Sequence, residues 1–196
     1  DKLIDTIRNG RHLCEHIHLP VQYGSNRILK AMNRVYTVES YRERVRRVRE
    51  ALPEASLTTD LIVGFPGETE EDFAAGMDFV RAMGFARMHV FPYSPRRGTP
   101  AAQRADQVPP AVRKERAARM QALAEELAQD YHRAALGSVT EVLFETAEDG
   151  VTNGLTETYI RVYTDAPVAR GALVPMRLVR LYRDGVWGTP VSKENP

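Results

Sequence analysis

Three short apolar segments alternate with amphipathic helical segments over residues 1–136, and this alternation constrains the fold more than any other feature. The segments predicted to be strands are 16–22, 57–64 and 87–93. Thr37 and Thr69 are predicted to begin the two intervening helices, and Thr69 forms a capping box with Asp72. A regular strand–helix alternation predicts parallel strands joined by helices, which is an α/β domain.

Three strand–helix units are too few to close a barrel. They would leave an open parallel edge, at which strands can pair with another chain. We therefore expect the C-terminal half of a partial (βα) barrel, whose other half precedes Asp1 in a longer protein. We also expect the exposed barrel edge to promote self-association.

A change of pattern follows the third unit. A long amphipathic helix is predicted over about residues 111–136, and Gly137 is expected to end it. Short alternating segments separated by turn residues then continue to the end of the chain, which predicts a small all-β barrel. We therefore predict two domains, residues 1–136 and residues 137–196. Tyr182 and Trp187 are expected in the barrel core.

Composition excludes several classes of protein. Cys14 is the single cysteine, so the chain can form neither an internal disulfide nor a site with several thiolates, and we expect a small buried side chain there. A reducing, cytoplasmic location follows as the default. The formal net charge of +1 gives no general signal of a nucleic-acid partner. No apolar run approaches the ~18 residues of a membrane span, so no membrane partner is expected.

Alternation along the three strands places polar side chains on one face of the sheet. They are His18, Gln22, Asp60, His89 and Tyr93. A closed eight-stranded barrel ordinarily fills its interior with branched aliphatic side chains, so a polar face indicates a lumen that holds a ligand. Two alternatives stay open: a hydrogen-bonded network without chemistry, or a metal site formed by His18, Asp60 and His89.

The segments that follow the three strands are rich in glycine and polar residues. They are 22–25, 64–69 and 93–99. Parallel α/β folds bind ligands at the carboxyl ends of their strands. Glycine allows a ligand close to the backbone, and a helix beginning after Thr69 offers free amides to anionic groups. Together these segments predict a ligand site.

Four segments in this order resemble the second half of the radical S-adenosylmethionine domain of the methylthiotransferase family. They are HIHLPVQYGS (16–25), MNR (32–34), TDLIVGFPGET (59–69) and FPYSPRRGT (91–99). The β domain resembles a TRAM domain. The segment GLTETYIRV (154–162) is most similar to the branch that acts on N6-threonylcarbamoyladenosine in tRNA (the MtaB type), followed by the branch that acts on isopentenyladenosine (the MiaB type). Tyr23 and Thr158 differ from the Ser and Asn usual in the family.

The resemblance implies a reaction and its cofactors. A 4Fe-4S cluster held by three cysteines cleaves S-adenosylmethionine to an adenosyl radical, a second cluster supplies sulfur, and another S-adenosylmethionine supplies the methyl group. The tRNA receives the methylthio group on a modified adenosine beside the anticodon. Because clusters of this kind are held by thiolates, the resemblance places the ligands upstream of Asp1. This chain alone is then expected to bind part of S-adenosylmethionine and not to catalyse.

The resemblance also implies cofactor-binding positions, with no catalytic or metal-binding residue in this chain. They are Gln22, Ser25, Asp60, Gly64, Glu68, Tyr93 and Arg96. In the β domain, a patch for stacking and phosphate contacts with RNA is predicted at Tyr159, Arg161, Arg177 and Arg180, against the alternative of a solvated strand face. Two competing functions are a non-catalytic RNA-binding module and a metal-dependent barrel enzyme.

Overall fold

The structure is a computed structural model that describes residues 2–10 and 12–191. Its contacts divide the chain into two compact units. The first, here called the half barrel, comprises Ile17–Pro53 and Leu57–Ala128. The second, here called the β-barrel unit, comprises Glu54–Ser56, the described residues up to His16 and those from Gln129 onward. The domain limits predicted at residues 136 and 137 stay a prediction.

The helices and strands follow one another in the chain as α1 (Lys2–Asn9), β1 (His16–His18), α2 (Asn26–Ala31), α3 (Val38–Ala51), β2 (Ser56–Val63), α4 (Glu70–Met83), β3 (Arg87–Pro92), a 3-10 turn (Pro100–Gln103), α5 (Pro110–Ala134), β4 (Val139–Glu148), β5 (Val151–Thr156), β6 (Arg161–Thr164), β7 (Leu173–Tyr182) and β8 (Gly185–Pro190). None of the helices in the described part of the chain is long and apolar enough to cross a membrane.

The half barrel contains a three-stranded sheet in the order β1-β2-β3, in which β2 and β3 are parallel. The first strand is shorter than the predicted segment 16–22. Pro20 has no N–H to donate, and the N–H of Val21 bonds to the Thr59 hydroxyl at 2.9 Å instead of to a carbonyl. The pairing resumes at Gln22, which forms an isolated bridge with Leu61.

The two long helices of the half barrel begin as predicted. Thr37 caps α3 and Thr69 caps α4, each in a capping box, and Gly84 ends α4 in the left-handed conformation. Helix α3 buries a stripe of apolar side chains, in which the ring of Tyr41 packs edge-on against Phe79 at 5.9 Å. The helices therefore cover one face of the sheet, and the polar side chains lie on the other.

The β-barrel unit contains a closed barrel of five strands in the order β4-β5-β6-β8-β7. The predicted α/β half barrel followed by a small β barrel is therefore confirmed. The core of the barrel is apolar and consists of Val142, Phe144, Ile160, Val162, Met176, Leu178 and Val186. Strand β5 contains Gly154, where a Cβ would lie 2.2 Å from the carbonyl oxygen of Leu143, so the close approach of β4 requires glycine.

Two expectations about burial are wrong. Cys14 is exposed rather than buried. Tyr182 and Trp187 are only partly buried and do not belong to the barrel core, because their rings pack on one another, 5.0 Å apart, beside exposed arginines.

Candidate functional site

A pocket of about 590 Å³ in the half barrel brings four of the seven predicted cofactor residues together. These are Gln22, Asp60, Tyr93 and Arg96. Apolar side chains complete the wall, among them Ile62 on β2 and Phe91 on β3. The pocket thus combines an amide, a carboxylate and a guanidinium with aromatic and aliphatic surface, which is typical of small-molecule sites.

Gln22 enters the pocket wall from an unusual backbone conformation, with φ at +67°. Its N–H donates to the Asp60 carbonyl at 3.0 Å, and its own carbonyl accepts from the N–H of Ile62 at 3.0 Å. Arg34 donates to the side-chain oxygen of Gln22 at 3.3 Å. A left-handed non-glycine residue held by the neighbouring strand is a feature that often marks a functional position.

Asp60 shares the polar face of the sheet with His18 and His89. The Nε2 atom of His18 lies 3.3 Å from Oδ2 of Asp60, and the rings of His18 and His89 are 6.3 Å apart. The predicted convergence of these three side chains is therefore observed. Within residues 2–10 and 12–191, however, no group of three His, Cys, Asp or Glu side chains could hold a metal ion. The structure gives no support to the metal-dependent alternative.

Tyr93 and Arg96 follow β3 at the rim of the pocket. The ring of Tyr93 packs edge-on against Phe65 at 5.2 Å, and its carbonyl accepts a hydrogen bond of 2.7 Å from Arg113 on α5. The Tyr93 hydroxyl is buried and has no hydrogen-bond partner within the described chain. Arg96 is exposed, and its carbonyl accepts from the Thr99 hydroxyl at 2.8 Å.

The other three predicted residues are Ser25, Gly64 and Glu68, and they do not line this pocket. Ser25 donates to Oδ1 of Asp72 at 2.9 Å, and the Gly64 N–H donates to Oε2 of Glu68 at 2.6 Å. Each therefore has a partner inside the protein. Their contact with a cofactor stays a prediction.

Glu68 forms a buried ion pair that sequence reasoning missed. Arg116 on α5 donates to Oε1 of Glu68 at 2.7 Å, and the side chain of Glu68 has no exposed surface. Burial raises the pKa of the Glu68 carboxyl, and the hydrogen bonds from Gly64 and Arg116 oppose this shift. No local sequence signal pairs the two residues, which are 48 positions apart.

The predicted RNA-contacting residues of the β-barrel unit have distinct surroundings. Tyr159 is 54% exposed and stacks on His16, with ring centroids 4.1 Å apart. Arg161 donates to Asn153 at 2.7 Å and lies 3.4 Å from Asp184. The guanidinium of Arg161 is therefore already engaged within the protein.

Arg177 and Arg180 lie on β7. Arg177 donates to the Gly137 carbonyl at 3.0 Å, whereas the Arg180 guanidinium lies 5.0 Å from the Tyr182 ring and 5.1 Å from the Trp187 ring. Arg183 likewise lies over Tyr182 at 5.2 Å.

Aromatic rings and guanidinium groups alternate on this side of the barrel. We call this set the aromatic–arginine ladder; it consists of Tyr163, Arg180, Tyr182, Arg183 and Trp187. Of its five members, only Arg180 was among the residues predicted to contact RNA.

Comparison with known proteins gives consistent matches. The profile of the Radical SAM superfamily matches residues 1–80. A tRNA-2-methylthio-N(6)-dimethylallyladenosine synthase from Mycobacterium bovis is 51% identical over 148 residues, which are 76% of this chain and 29% of that protein. The threonylcarbamoyladenosine tRNA methylthiotransferase MtaB of Bacillus subtilis is 41% identical over 203 aligned residues, covering 99% of this chain and 45% of that protein.

Among solved structures, coproporphyrinogen III oxidase (HemN) from Escherichia coli, a radical SAM enzyme, has a similar fold. The TM-score is 0.53 at 15% sequence identity, and the match covers 97% of this chain and 49% of that one. At this identity the likeness shows the fold alone. The chain thus spans less than half the length of the relatives named here.

Proposed function

Since the chain belongs to the radical S-adenosylmethionine methylthiotransferase family, we propose that its half barrel forms one wall of a pocket for S-adenosylmethionine and for a modified adenosine of tRNA. The observation that carries this proposal is the convergence of Gln22, Asp60, Tyr93 and Arg96 on one pocket of about 590 Å³. The remainder of such an enzyme is the partner that would complete the site.

The pocket residues fit S-adenosylmethionine. The rings of Phe91 and Tyr93 offer surface on which an adenine can pack, and the Asp60 carboxylate can accept from a ribose hydroxyl or an ammonium. The buried Tyr93 hydroxyl, which has no partner in the described chain, could bond to the ligand. When bound, the cofactor supplies the adenosyl radical and, as a second molecule, the methyl group; the residues named here would bind and orient it.

The residues present do not fit an iron–sulfur cluster. Clusters of this kind are held by several thiolates, and the sequence contains only the exposed Cys14. We therefore propose that the cluster ligands belong to another part of the protein, and that this chain alone does not catalyse methylthiolation.

N6-threonylcarbamoyladenosine is the nucleoside that we propose as substrate. Its threonyl group carries a carboxylate, and Arg96 at the pocket rim is a suitable partner for that charge. The Bacillus subtilis relative, whose name contains this nucleoside, aligns with 99% of the chain. The alternative is isopentenyladenosine, which the apolar wall could accommodate; the Mycobacterium bovis relative is more similar but aligns with 76% of the chain.

The β-barrel unit is proposed to bind the tRNA. Unpaired bases stack on aromatic rings and on guanidinium planes. The ladder offers both, because Arg180 and Arg183 are exposed and Tyr182 and Trp187 are partly so, whereas Tyr163 is buried beneath them. Tyr159 and Arg177 remain proposed contacts, since both are exposed. Arg161 is a weaker candidate because its guanidinium already contacts Asn153 and Asp184.

A chimera tests the proposed function. This chain would replace the aligned segment of the Bacillus subtilis relative, and the chimera would be expressed in a strain that lacks its own threonylcarbamoyladenosine methylthiotransferase. Mass spectrometry of tRNA nucleosides should then detect the 2-methylthio derivative of N6-threonylcarbamoyladenosine. An Asp60→Ala chimera is the matched control and should lose the product.

Three other results have distinct meanings. The methylthio derivative of isopentenyladenosine, formed in a strain lacking that activity, would support the alternative substrate. Tight tRNA binding by a soluble chimera without either product would favour the non-catalytic RNA-binding module. Product formation by this chain alone would contradict our proposal that the cluster ligands lie elsewhere.

A further inference from the structure

We propose that His18 is a positioning residue, which holds the Asp60 carboxylate so that its second oxygen accepts a hydrogen bond from a hydroxyl or ammonium group of the pocket ligand. This inference deepens the proposed function and rests on it. It starts from a chain of three side chains, Thr58, His18 and Asp60, that crosses from β2 to β1 and back.

The chain of hydrogen bonds is a consequence of strand geometry. Thr58 and Asp60 are two residues apart on β2, so their side chains lie on the same face of the sheet. His18 lies on the neighbouring strand β1. Its Nδ1 atom is 2.9 Å from the Thr58 hydroxyl, and its Nε2 atom is 3.3 Å from Oδ2 of Asp60. One imidazole ring thus connects a buried hydroxyl to a pocket carboxylate.

The protonation of the ring follows from what each partner can do. An ionised carboxylate only accepts hydrogen bonds, so Nε2 of His18 must carry the proton that faces Asp60. In a neutral imidazole the other nitrogen is then an acceptor, and the Thr58 hydroxyl donates to it. The Asp60 carboxylate therefore selects the Nε2–H tautomer, because the Thr58 hydroxyl can donate or accept and so suits either form of the ring.

Only one oxygen of Asp60 is used in this way. No hydrogen bond reaches its Oδ1 atom from the described residues, although Asp60 is among the residues that line the pocket. A carboxylate that is already held in one orientation loses less rotational freedom when it binds a ligand. The complementary group is a hydrogen-bond donor. S-adenosylmethionine has three kinds, the ribose hydroxyls, the methionine ammonium and the adenine amino group, of which the first two are the partners proposed for Asp60.

Two substitutions of His18 distinguish the loss of its contact with Asp60 from a general loss of folding. The amide nitrogen of glutamine occupies about the place of Nε2, whereas that of asparagine occupies about the place of Nδ1 and is too short to reach Asp60. His18→Gln should therefore keep the contact with Asp60, and His18→Asn should lose it. The melting temperature of each variant controls for folding. If asparagine at position 18 impairs folding, the glutamine variant still tests the inference.

Binding is measured on the chimera with the Bacillus subtilis relative, in which the pocket is expected to be complete. Titration calorimetry uses S-adenosylmethionine and 5′-methylthioadenosine, which has the ribose but no ammonium. His18→Asn should weaken S-adenosylmethionine binding about tenfold, and His18→Gln should stay within about twofold of the wild type. An equal loss for both probes assigns the donor to the adenosine part that they share, and a loss confined to S-adenosylmethionine assigns the ammonium.

The inference and the proposed function would fail with different experimental results. If the wild type binds and His18→Asn binds equally well, the positioning role is wrong and the proposed pocket stands. A wild type that binds neither probe overturns the proposed function, and the positioning role with it. A third readout needs no ligand: the ¹⁵N shifts of the His18 ring should show the Nε2–H tautomer, and a dominant Nδ1–H tautomer contradicts the inference.

Discussion

Arg116 and Glu68 form an ion pair of 2.7 Å in which the arginine side chain is 7% exposed and the glutamate side chain is fully buried. The second carboxylate oxygen of Glu68 accepts the N–H of Gly64. The pair thereby connects α5 to the loop after β2, next to the strand whose residues line the pocket. Removing one partner of a buried ion pair leaves the other charge buried without a partner. This lowers the free energy of unfolding far more than the loss of an exposed pair does.

Arg116→Ala should therefore lower the free energy of unfolding by about 3–5 kcal/mol. The matched control is Arg119→Ala on the same helix, whose partners Glu70 and Glu115 are half exposed and whose loss should cost no more than ~1 kcal/mol. Urea denaturation of both variants measures the difference. Equal losses would show that the burial of Glu68 does not determine the cost.

The sequence was sufficient for elements with strong local signals. The capping box at Thr69 and Asp72 and the closely spaced turns of the β barrel depend on chemistry within a few residues. The same holds for the shared face of Asp60 and Tyr93, since alternation along β2 and β3 places both side chains on the side of the sheet that lines the pocket. These features were predictable because no distant contact is needed to establish them.

Features set by distant contacts were not predictable. Arg116 and Glu68 are 48 residues apart, and no local pattern pairs them. Strand β5 has little strand signal of its own, because Asn153 and Gly154 normally indicate a turn, while the cross-strand approach of β4 requires the glycine. Trp187 was assigned to the core from its size alone, and its position outside depends on Tyr182 in the paired strand.

Asp72 should make the half barrel sensitive to acid. Partial burial would raise its pKa, but hydrogen bonds from Arg27, Thr69 and Ser25 outweigh burial and lower the pKa from 3.8 to about 2. The folded state thus holds the proton less readily than the unfolded state. The contribution of Asp72 to stability is present above about pH 4 and is lost as the pH falls towards 2; it amounts to about 2 kcal/mol.

The measurement is the free energy of unfolding between pH 6 and pH 2 for the wild type and Asp72→Asn. The asparagine variant should be less stable at pH 6, and the two curves should converge as the pH approaches 2. A constant difference across this range would contradict the proposed linkage.

Gly64→Ala should be much more costly than alanine at another glycine of positive φ. Gly64 has φ at +73°, and an added Cβ would lie 2.3 Å from Cγ of Arg113, whose guanidinium is held by the Tyr93 carbonyl. Gly150 has φ at +76° and nothing within 4 Å. Thermal unfolding should show a loss of about 1 kcal/mol for Gly150→Ala, from backbone strain alone. Steric displacement of Arg113 should bring the loss for Gly64→Ala to about 3 kcal/mol. Similar losses would mean that Arg113 moves aside freely.

The half barrel should self-associate at high concentration. Strands β1 and β3 are the outer strands of the sheet, and each pairs with β2 on one side only within the described chain. Free strand edges template pairing with another copy. Light scattering of this chain should show a mass that rises with concentration, and the chimera with the Bacillus subtilis relative is the control in which the edges are expected to be covered. A constant monomer mass for the isolated chain would refute the prediction.

The aromatic–arginine ladder should contribute to tRNA affinity through stacking, and Arg177 through charge. Trp187→Leu keeps an apolar side chain but removes the ring that packs against Arg180 and Tyr182, so binding measured by fluorescence anisotropy should weaken about tenfold. Arg177→Ala should instead weaken binding modestly and reduce the slope of log affinity against log salt by about 1, since it removes a single phosphate contact.

Arg161→Ala is the internal control for both variants. The guanidinium of Arg161 contacts Asn153, so its removal should change tRNA affinity less than Trp187→Leu or Arg177→Ala does. If Arg161→Ala has the largest effect of the three, the RNA surface is centred on Arg161 and the proposed role of the ladder in binding is wrong.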